Sequence, residues 1–206
     1  MKKTSTNLMI LNAIFSVMLI LSNIVAGRIT KLGNIEVSAA VFAFAITFLM
    51  TDIIGELWGK EEAKKTVWIG FFIQLGVLAY ILLILALPPA DYLIEYDKSF
   101  RMIFNQSTRV VIASLIVYII AQLNDLFVFH KLKDLTKGKH KWLRNNGSTV
   151  ISQFINTFLF ILLAFYGTVP SIWNIFISQY LIVVIIALID TPLFYLFTRE
   201  SKNIRR

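Results

Sequence analysis

Six apolar stretches dominate this chain, and each approaches or exceeds the ~20 residues that a helix needs to cross a bilayer core. They lie at roughly 7–27, 37–54, 66–87, 108–129, 148–167 and 172–197. Only 16% of the 206 residues are charged, whereas a soluble domain has about 25%. The first stretch is too long for a signal peptide and lacks a small-residue cleavage site. The sequence therefore predicts an all-α, polytopic integral membrane protein with six transmembrane helices in a single domain, residues 1–206.

The basic residues predict an orientation. With six spans, the N-terminus, the 55–65 loop, the 130–147 loop and the C-terminus share one side of the membrane. These segments hold 15 lysines and arginines, the opposite loops hold 4, and Arg109 at the start of the fourth stretch completes the 20. Because lysine and arginine accumulate in cytoplasmic loops, both termini are expected in the cytoplasm. The net charge of +8 then reflects topology, and a nucleic-acid partner is not expected.

One long loop falls on the opposite side, at residues 88–107. It begins with Pro88-Pro89 and carries several aromatic residues. Three interpretations stay open for it: a segment at the membrane interface, a cap over an outer vestibule, or an ordinary connector.

The residues that the chain lacks exclude several kinds of chemistry. It has no cysteine, and its two histidines, His130 and His140, lie in a basic stretch. Disulfides and thiolate metal sites are excluded, and a histidine metal cluster has almost no ligands. The segment from Gly55 to Lys60 is too short for the G-x-x-x-x-G-K-[ST] phosphate loop. We therefore expect no cofactor, no metal site, no catalytic residue and no enzymatic activity, which leaves a transporter or the membrane subunit of one.

Polar residues recur at three- and four-residue intervals in three of the stretches, so each set lies on one helical face. The fifth stretch has Thr149, Ser152, Gln153, Asn156 and Thr157, the fourth has Ser114, Tyr118, Gln122 and Asp125, and the first has Asn12, Ser16 and Asn23. Such residues mark functional sites in membranes, but they also hydrogen-bond neighbouring helices together. For any single residue we favour helix association. For the five of the fifth stretch we favour a hydrated or ligand-lined cavity.

Carboxylates within or beside the spans are further candidates. Asp52 follows a long apolar run, and Glu56 comes one helical turn, ~6 Å, later on the same face. We expect Asp52 to be the deeper residue and to contact ligand or carry a proton. Glu56 is expected to pair with a loop lysine or with Arg144 in a gate at the inner end. Asp125 has a comparable depth in the fourth stretch, and Asp190 lies within the sixth.

Several segments, in order along the chain, resemble the queuosine precursor transporter family. They are Thr51-Asp52-Ile53-Ile54-Gly55-Glu56-Leu57-Trp58-Gly59, the segment 109–122 with Ala113-Ser114-Leu115, Trp142-Leu143-Arg144-Asn145-Asn146, Ser148-Thr149, Ser152-Gln153 and Thr191-Pro192. One departure is Asn156, where the family pattern leads us to expect an aspartate. The resemblance implies uptake of 7-cyano-7-deazaguanine and 7-aminomethyl-7-deazaguanine, or of queuine, across a bacterial inner membrane for tRNA modification.

The chemistry of such a base suits the polar residues. A carboxylate can accept the ring N1–H and the exocyclic amine of a deazaguanine together, and an amide suits its O6 and pyrrole N–H. The candidate substrate-binding residues are Asp52, Glu56, Asp125, Gln122, Ser114, Ser152, Gln153, Asn156 and Arg144.

Three functional hypotheses remain at this point. The first is a secondary transporter that uses Asp52, Glu56 or Asp125 to couple a proton or ion gradient. The second is a substrate-binding membrane subunit of a multi-component ATP-driven vitamin or nucleobase transporter. The third is a membrane enzyme or structural protein. The expected partners are a small-molecule base and the lipid bilayer, and a homodimer is left open.

Overall fold

The computed structural model describes residues 1–26, 28–33, 35–104, 108–167 and 172–199. The elements are α1 (Ser5–Val25), β1 (Ile29–Leu32), β2 (Ile35–Ser38), α2 (Ala40–Leu57), α3 (Lys60–Ala86), a 3-10 turn (Asp91–Leu93), α4 (Ile94–Phe104), α5 (Thr108–Leu135), α6 (Lys141–Phe165) and α7 (Ile172–Thr198). Within the described ranges, six helices are long and apolar enough to cross a membrane, namely α1, α2, α3, α5, α6 and α7. The predicted all-α polytopic class is confirmed.

A small β-hairpin, which was not predicted, precedes α2. The second apolar stretch was expected to begin at 37, but Val37 and Ser38 belong to β2, and the helix begins at Ala40. β1 and β2 pair antiparallel, with Thr30 opposite Val37. Both strands are rich in β-branched residues, which favour extended backbone. Val37 is buried against Ile182 and Val183, so the hairpin packs on α7.

Three helices extend beyond the predicted apolar stretches at the end of the bundle that carries the 55–65 and 130–147 segments. We call this the basic end. α3 begins at Lys60 rather than 66, α5 continues to Leu135 rather than 129, and α6 begins at Lys141 rather than 148. The two predicted basic loops therefore shrink to short turns at 58–59 and 136–140. Lysine, arginine and glutamate are good helix formers, so charge ends the membrane span without ending the helix. Most of the basic residues that were expected in these two loops therefore lie on helix ends.

α2 is the central helix of the bundle. It packs against α1, α3, α5, α6 and α7. Every residue from Thr47 to Gly55 is buried, including Asp52, Ile53 and Ile54. By contrast, α1, α3 and α7 expose large apolar side chains along much of their length, as expected of surfaces that face lipid. Asp52 is therefore held at the centre of the protein.

α3 approaches its neighbours closely at Gly70. A Cβ at this position would lie 2.5 Å from Tyr118 Oη and 2.6 Å from Phe15 Cε1. Tyr118 donates a hydrogen bond of 2.8 Å to the carbonyl oxygen of Val67, one turn earlier on α3. The absence of a side chain at Gly70 thus allows α1, α3 and α5 to pack together.

Candidate functional site

The central cleft lies between α2, α6 and α7. Its lining residues are Ala45, Phe48, Leu49, Asp52, Asn145, Thr149, Gln153, Val183, Ala187 and Asp190. The polar members come from three helices, and the apolar members include Phe48. The free volume of the cleft is about 10 Å³, which is the space that one water molecule needs. In this conformation the cleft is therefore closed to anything larger than water.

Asp52 lies beside a second carboxylate at the centre of the bundle. Asp52 is 2% exposed and Asp125 of α5 is 0% exposed, and their side chains are within hydrogen-bonding reach of each other. Asp52 Oδ2 and both Asp125 carboxylate oxygens are buried, and none accepts a hydrogen bond from any described residue. The hydroxyls of Ser148 and Ser152 lie near Asp125. Two adjacent acceptors of this kind require either a proton or a donor from a ligand.

The polar face of α6 divides into two parts. Gln153 is 1% exposed and lines the cleft with Thr149 and Asn145, whose Oδ1 has no hydrogen-bond partner in the described part of the chain. Asn156 donates a 3.2 Å hydrogen bond to Gln153 Oε1 and so orients that amide. Ser152 instead faces α5, where it accepts a 2.9 Å hydrogen bond from Asn124. The predicted stripe thus supplies both a cavity wall and a helix contact.

Gln122 serves the contact between α2 and α5. Its Nε2 donates to Thr47 Oγ1 at 3.0 Å, and its Oε1 accepts from Thr51 Oγ1 at 3.4 Å. With both ends of the amide bonded to α2, Gln122 does not line the cleft. Asn12, in the predicted stripe of α1, has a similar role, because its Oδ1 accepts a 2.7 Å hydrogen bond from Thr66 of α3.

Ser114 lies away from the other candidates. It lines a second cavity toward the opposite end of the bundle, together with Asn23, Gln74, Ile103 and Phe104. Ser114 and Asp125 share a helical face, but eleven residues separate them by about 16 Å along α5. The periodicity assigned both residues to one helical face and carried no information on depth. The last two lining residues belong to α4, so the helix within loop 88–107 covers this cavity.

The basic end is closed by a charge cluster around Glu56. Arg144 Nη2 lies 2.7 Å from Glu56 Oε1, Lys133 Nζ lies 3.0 Å from Oε2, and Lys141 Nζ lies 3.6 Å from Oε1. Lys141 also donates to the backbone oxygen of Thr198 at 2.9 Å. The expected pairing of Glu56 with Arg144 or a loop lysine is therefore present. The cluster joins α2, α5, α6 and α7 one turn beyond Asp52.

Three lining residues of the cleft were absent from the predicted binding set: Asn145, Thr149 and Asp190. Asn145, Thr149 and Gln153 are spaced by four, so they form one face of α6. Extending the predicted helix toward its N-terminus would have exposed this pattern. Asp190 was recognised as an intramembrane carboxylate, but nothing in the sequence indicates that α7 turns it toward α2.

Comparison with known proteins gives a consistent set of relatives. The family model described as "Putative vitamin uptake transporter" matches residues 38–197. A "Probable queuosine precursor transporter" of Bacillus subtilis (strain 168) is 33% identical over 194 residues, covering 87% of this chain and 84% of that protein. A "Probable queuosine precursor transporter" of Haemophilus influenzae (strain ATCC 51907 / DSM 11121 / KW20 / Rd) is 29% identical over 123 residues, covering 60% of this chain and 49% of that protein. No solved structure matches the chain significantly.

Proposed function

From the premise that the chain belongs to the putative vitamin uptake transporter family, we propose that it carries 7-deazaguanine precursors of queuosine across the bacterial inner membrane. Its substrates are 7-cyano-7-deazaguanine and 7-aminomethyl-7-deazaguanine, with queuine as a third member of the class. The role is transport rather than catalysis. The names of the two relatives support the substrate class, and the six apolar helices support the membrane location.

The observation that carries this proposal is the unpaired acceptor at Asp52. Its buried Oδ2 receives no hydrogen bond from the described residues, and Asp52 lines the cleft, whose other polar residues are Asn145, Thr149, Gln153 and Asp190. A deazaguanine presents its N1–H and exocyclic amine side by side, so an ionised Asp52 accepts both. Charge-assisted hydrogen bonds of this kind are about twice as strong as neutral ones.

The remaining edge of the base is assigned to α6. Gln153 lies on the cleft and is oriented by Asn156, so its amide can serve the base O6 or the pyrrole N–H. The ring of Phe48, which also lines the cleft, provides an apolar face for the bicyclic ring. Among the candidate residues we retain Asp52, Gln153 and Asn156 as the binding set.

Entry of the base requires movement of helices, because the cleft has room for only about one water molecule. The Glu56 cluster holds four helices together at the basic end, so its separation opens the cleft on that side. We assign Glu56 and Arg144 to this inner gate rather than to the binding set. The gate fits alternating access, in which the two ends of one site open in turn.

We further propose secondary active transport with a proton as the coupling ion. Asp125 touches Asp52 and does not line the cleft. Two buried carboxylates within hydrogen-bonding reach of each other repel when both are ionised. When the base engages the ionised Asp52, Asp125 therefore holds a proton that travels with the substrate.

The experiment uses liposomes that contain only the purified chain, with a radiolabelled deazaguanine outside. An imposed inward proton gradient should drive accumulation of the base without ATP or other proteins, and an equal sodium gradient at constant pH should not. Asp125→Asn should abolish this accumulation while it retains exchange of internal for external base. Accumulation only after ATPase subunits are added would instead support the membrane-subunit hypothesis and overturn secondary transport.

The orientation follows the charge asymmetry, with both termini in the cytoplasm. A reporter fused after Arg206 should be active only if it functions in the cytoplasm. Strong activity of a periplasm-only reporter at that position would contradict this arrangement.

A further inference from the structure

A separate groove lies between the start of α6 and the end of α7, at the basic end of the bundle. It has a volume of about 930 Å³, and its polar and aromatic lining residues are Lys139, His140, Lys141, Trp142, Tyr195 and Arg199. We call it the α6–α7 groove. None of its lining residues belongs to the central cleft or to the second cavity.

The groove is strongly cationic. Lys139 and Arg199 are exposed, and neither forms an ion pair with a carboxylate in the described ranges. Lys141 is held at the base of the groove by Thr198 and by Glu56. Among the described residues, none that lines the groove is acidic. The charges therefore suit an anion, and more than one cation is free to bind it.

The helix α6, which borders the groove, adds to its positive electrostatic potential. α6 has 25 residues and begins at the groove, and the side chain of its N-cap residue, His140, makes no capping hydrogen bond. The first turn of a long helix carries a partial positive charge and backbone N–H groups that favour phosphate. The backbone N–H of Trp142 donates a 3.1 Å hydrogen bond to Tyr195 Oη, which fixes the two aromatic residues at the rim.

An apolar stripe continues from the groove along α7. Ile189, Leu193 and Leu196 are spaced by four and three residues, so they share one face, and all three are exposed. Trp142 and Tyr195 are also exposed, and they lie at the end of this stripe that adjoins the groove. Tryptophan and tyrosine favour the level of lipid headgroups. The surface thus changes from cationic to aromatic to apolar, which is the order of headgroup, interface and acyl chain in a lipid.

We propose that the α6–α7 groove binds the headgroup of an anionic phospholipid such as phosphatidylglycerol. The phosphate contacts Lys139, Arg199 and the N-terminus of α6, and an acyl chain lies along Leu196 and Leu193. Cationic pockets between transmembrane helices are suited to such headgroups. Charge complementarity and the adjoining apolar stripe select a lipid over a free phosphate ion. The proposal is independent of the transported substrate.

The test is native mass spectrometry of the purified chain with phosphatidylglycerol or phosphatidylcholine of matched acyl chains. The parent protein should retain one phosphatidylglycerol at concentrations where phosphatidylcholine does not bind. The double variant Lys139→Gln/Arg199→Gln should weaken this binding about 30-fold, because each cation near a lipid surface contributes roughly a factor of five to six. Lys64→Gln/Lys131→Gln is the matched control, since it removes two exposed lysines at the same end, outside the groove.

The control pair should bind phosphatidylglycerol like the parent. Equal weakening in both double variants would overturn the groove as the site and indicate a diffuse effect of net charge. Equal retention of the two lipids by the parent would also overturn the proposal. So would complete displacement of phosphatidylglycerol by inorganic phosphate at the same concentration, because the apolar contacts would then contribute nothing.

Discussion

Arg144 of α6 donates a 2.7 Å hydrogen bond to Glu56 of α2, and the arginine is only 1% exposed. Its other terminal nitrogen donates to the backbone oxygens of Gly138 and Lys139, so the turn before α6 is held by the same side chain. A buried ion pair of this kind stabilises little relative to an apolar pair, but removal of one partner leaves an uncompensated charge. The pair is therefore suited to join helices in one state of the transporter and to release them in another.

The Glu56→Gln substitution should lower stability and slow net uptake while substrate binding remains measurable. It leaves Arg144 and Lys133 without their carboxylate, and breaking a buried pair costs about 3–5 kcal/mol. Thermal unfolding and initial uptake rates should be measured in the same membranes. The double variant Glu56→Gln/Arg144→Gln should lose less stability than the sum of the two single losses. Additive losses would show that the two residues do not act as a pair.

A matched pair of glutamine substitutions separates the cleft from the helix contact. Gln153→Leu should weaken deazaguanine binding by roughly 5- to 150-fold in a well-folded protein, because a lost buried hydrogen bond costs ~1–3 kcal/mol. Gln122→Leu should reduce thermal stability with little change in affinity, because its amide bonds to Thr47 and Thr51. Binding isotherms and unfolding curves of both variants provide the comparison. Unchanged affinity in Gln153→Leu would make the polar face of α6 a helix contact only.

Two glycines of α3 offer a test of the packing. Gly70→Ala should destabilise the protein by about 1–3 kcal/mol, because the added methyl group overpacks the contact with Tyr118 and Phe15. Gly76→Ala is the control, since a Cβ there meets no atom within 4 Å. It should be neutral or stabilising by up to about 1 kcal/mol. Equal melting temperatures for the two variants would contradict the close approach of α1, α3 and α5.

The sequence predicted the membrane class because six apolar runs of sufficient length permit few other structures. Asp52 and Gln153 were identified because polar groups inside a membrane are costly, and both lie on the cleft. The pairing of Glu56 with Arg144 or a loop lysine was also predicted, because oppositely charged side chains near a helix end attract each other. These inferences depend on the chemistry of single residues and not on how the helices pack.

Other features depend on how helices face one another, which periodicity does not specify. Ser114 and Gln122 share a face with Asp125, yet one lies at the other end of the bundle and one is bonded to α2. The hairpin was missed because its strands are short and adjoin an apolar helix. Asn145 was left out of the binding set because α6 was expected to begin later, at 148.

Equilibrium binding to Asp52→Asn is the most direct test of the central claim that Asp52 recognises the base. The substitution keeps the shape of the side chain but replaces one acceptor with a donor that opposes the N–H groups of the base. Purified Asp52→Asn should bind a radiolabelled deazaguanine about 100-fold or more weakly than the parent, since two hydrogen bonds to a charged group are lost. Glu56→Gln, measured alongside, should still bind. Parent-like affinity in Asp52→Asn, or loss of binding in Glu56→Gln alone, would contradict the assignment.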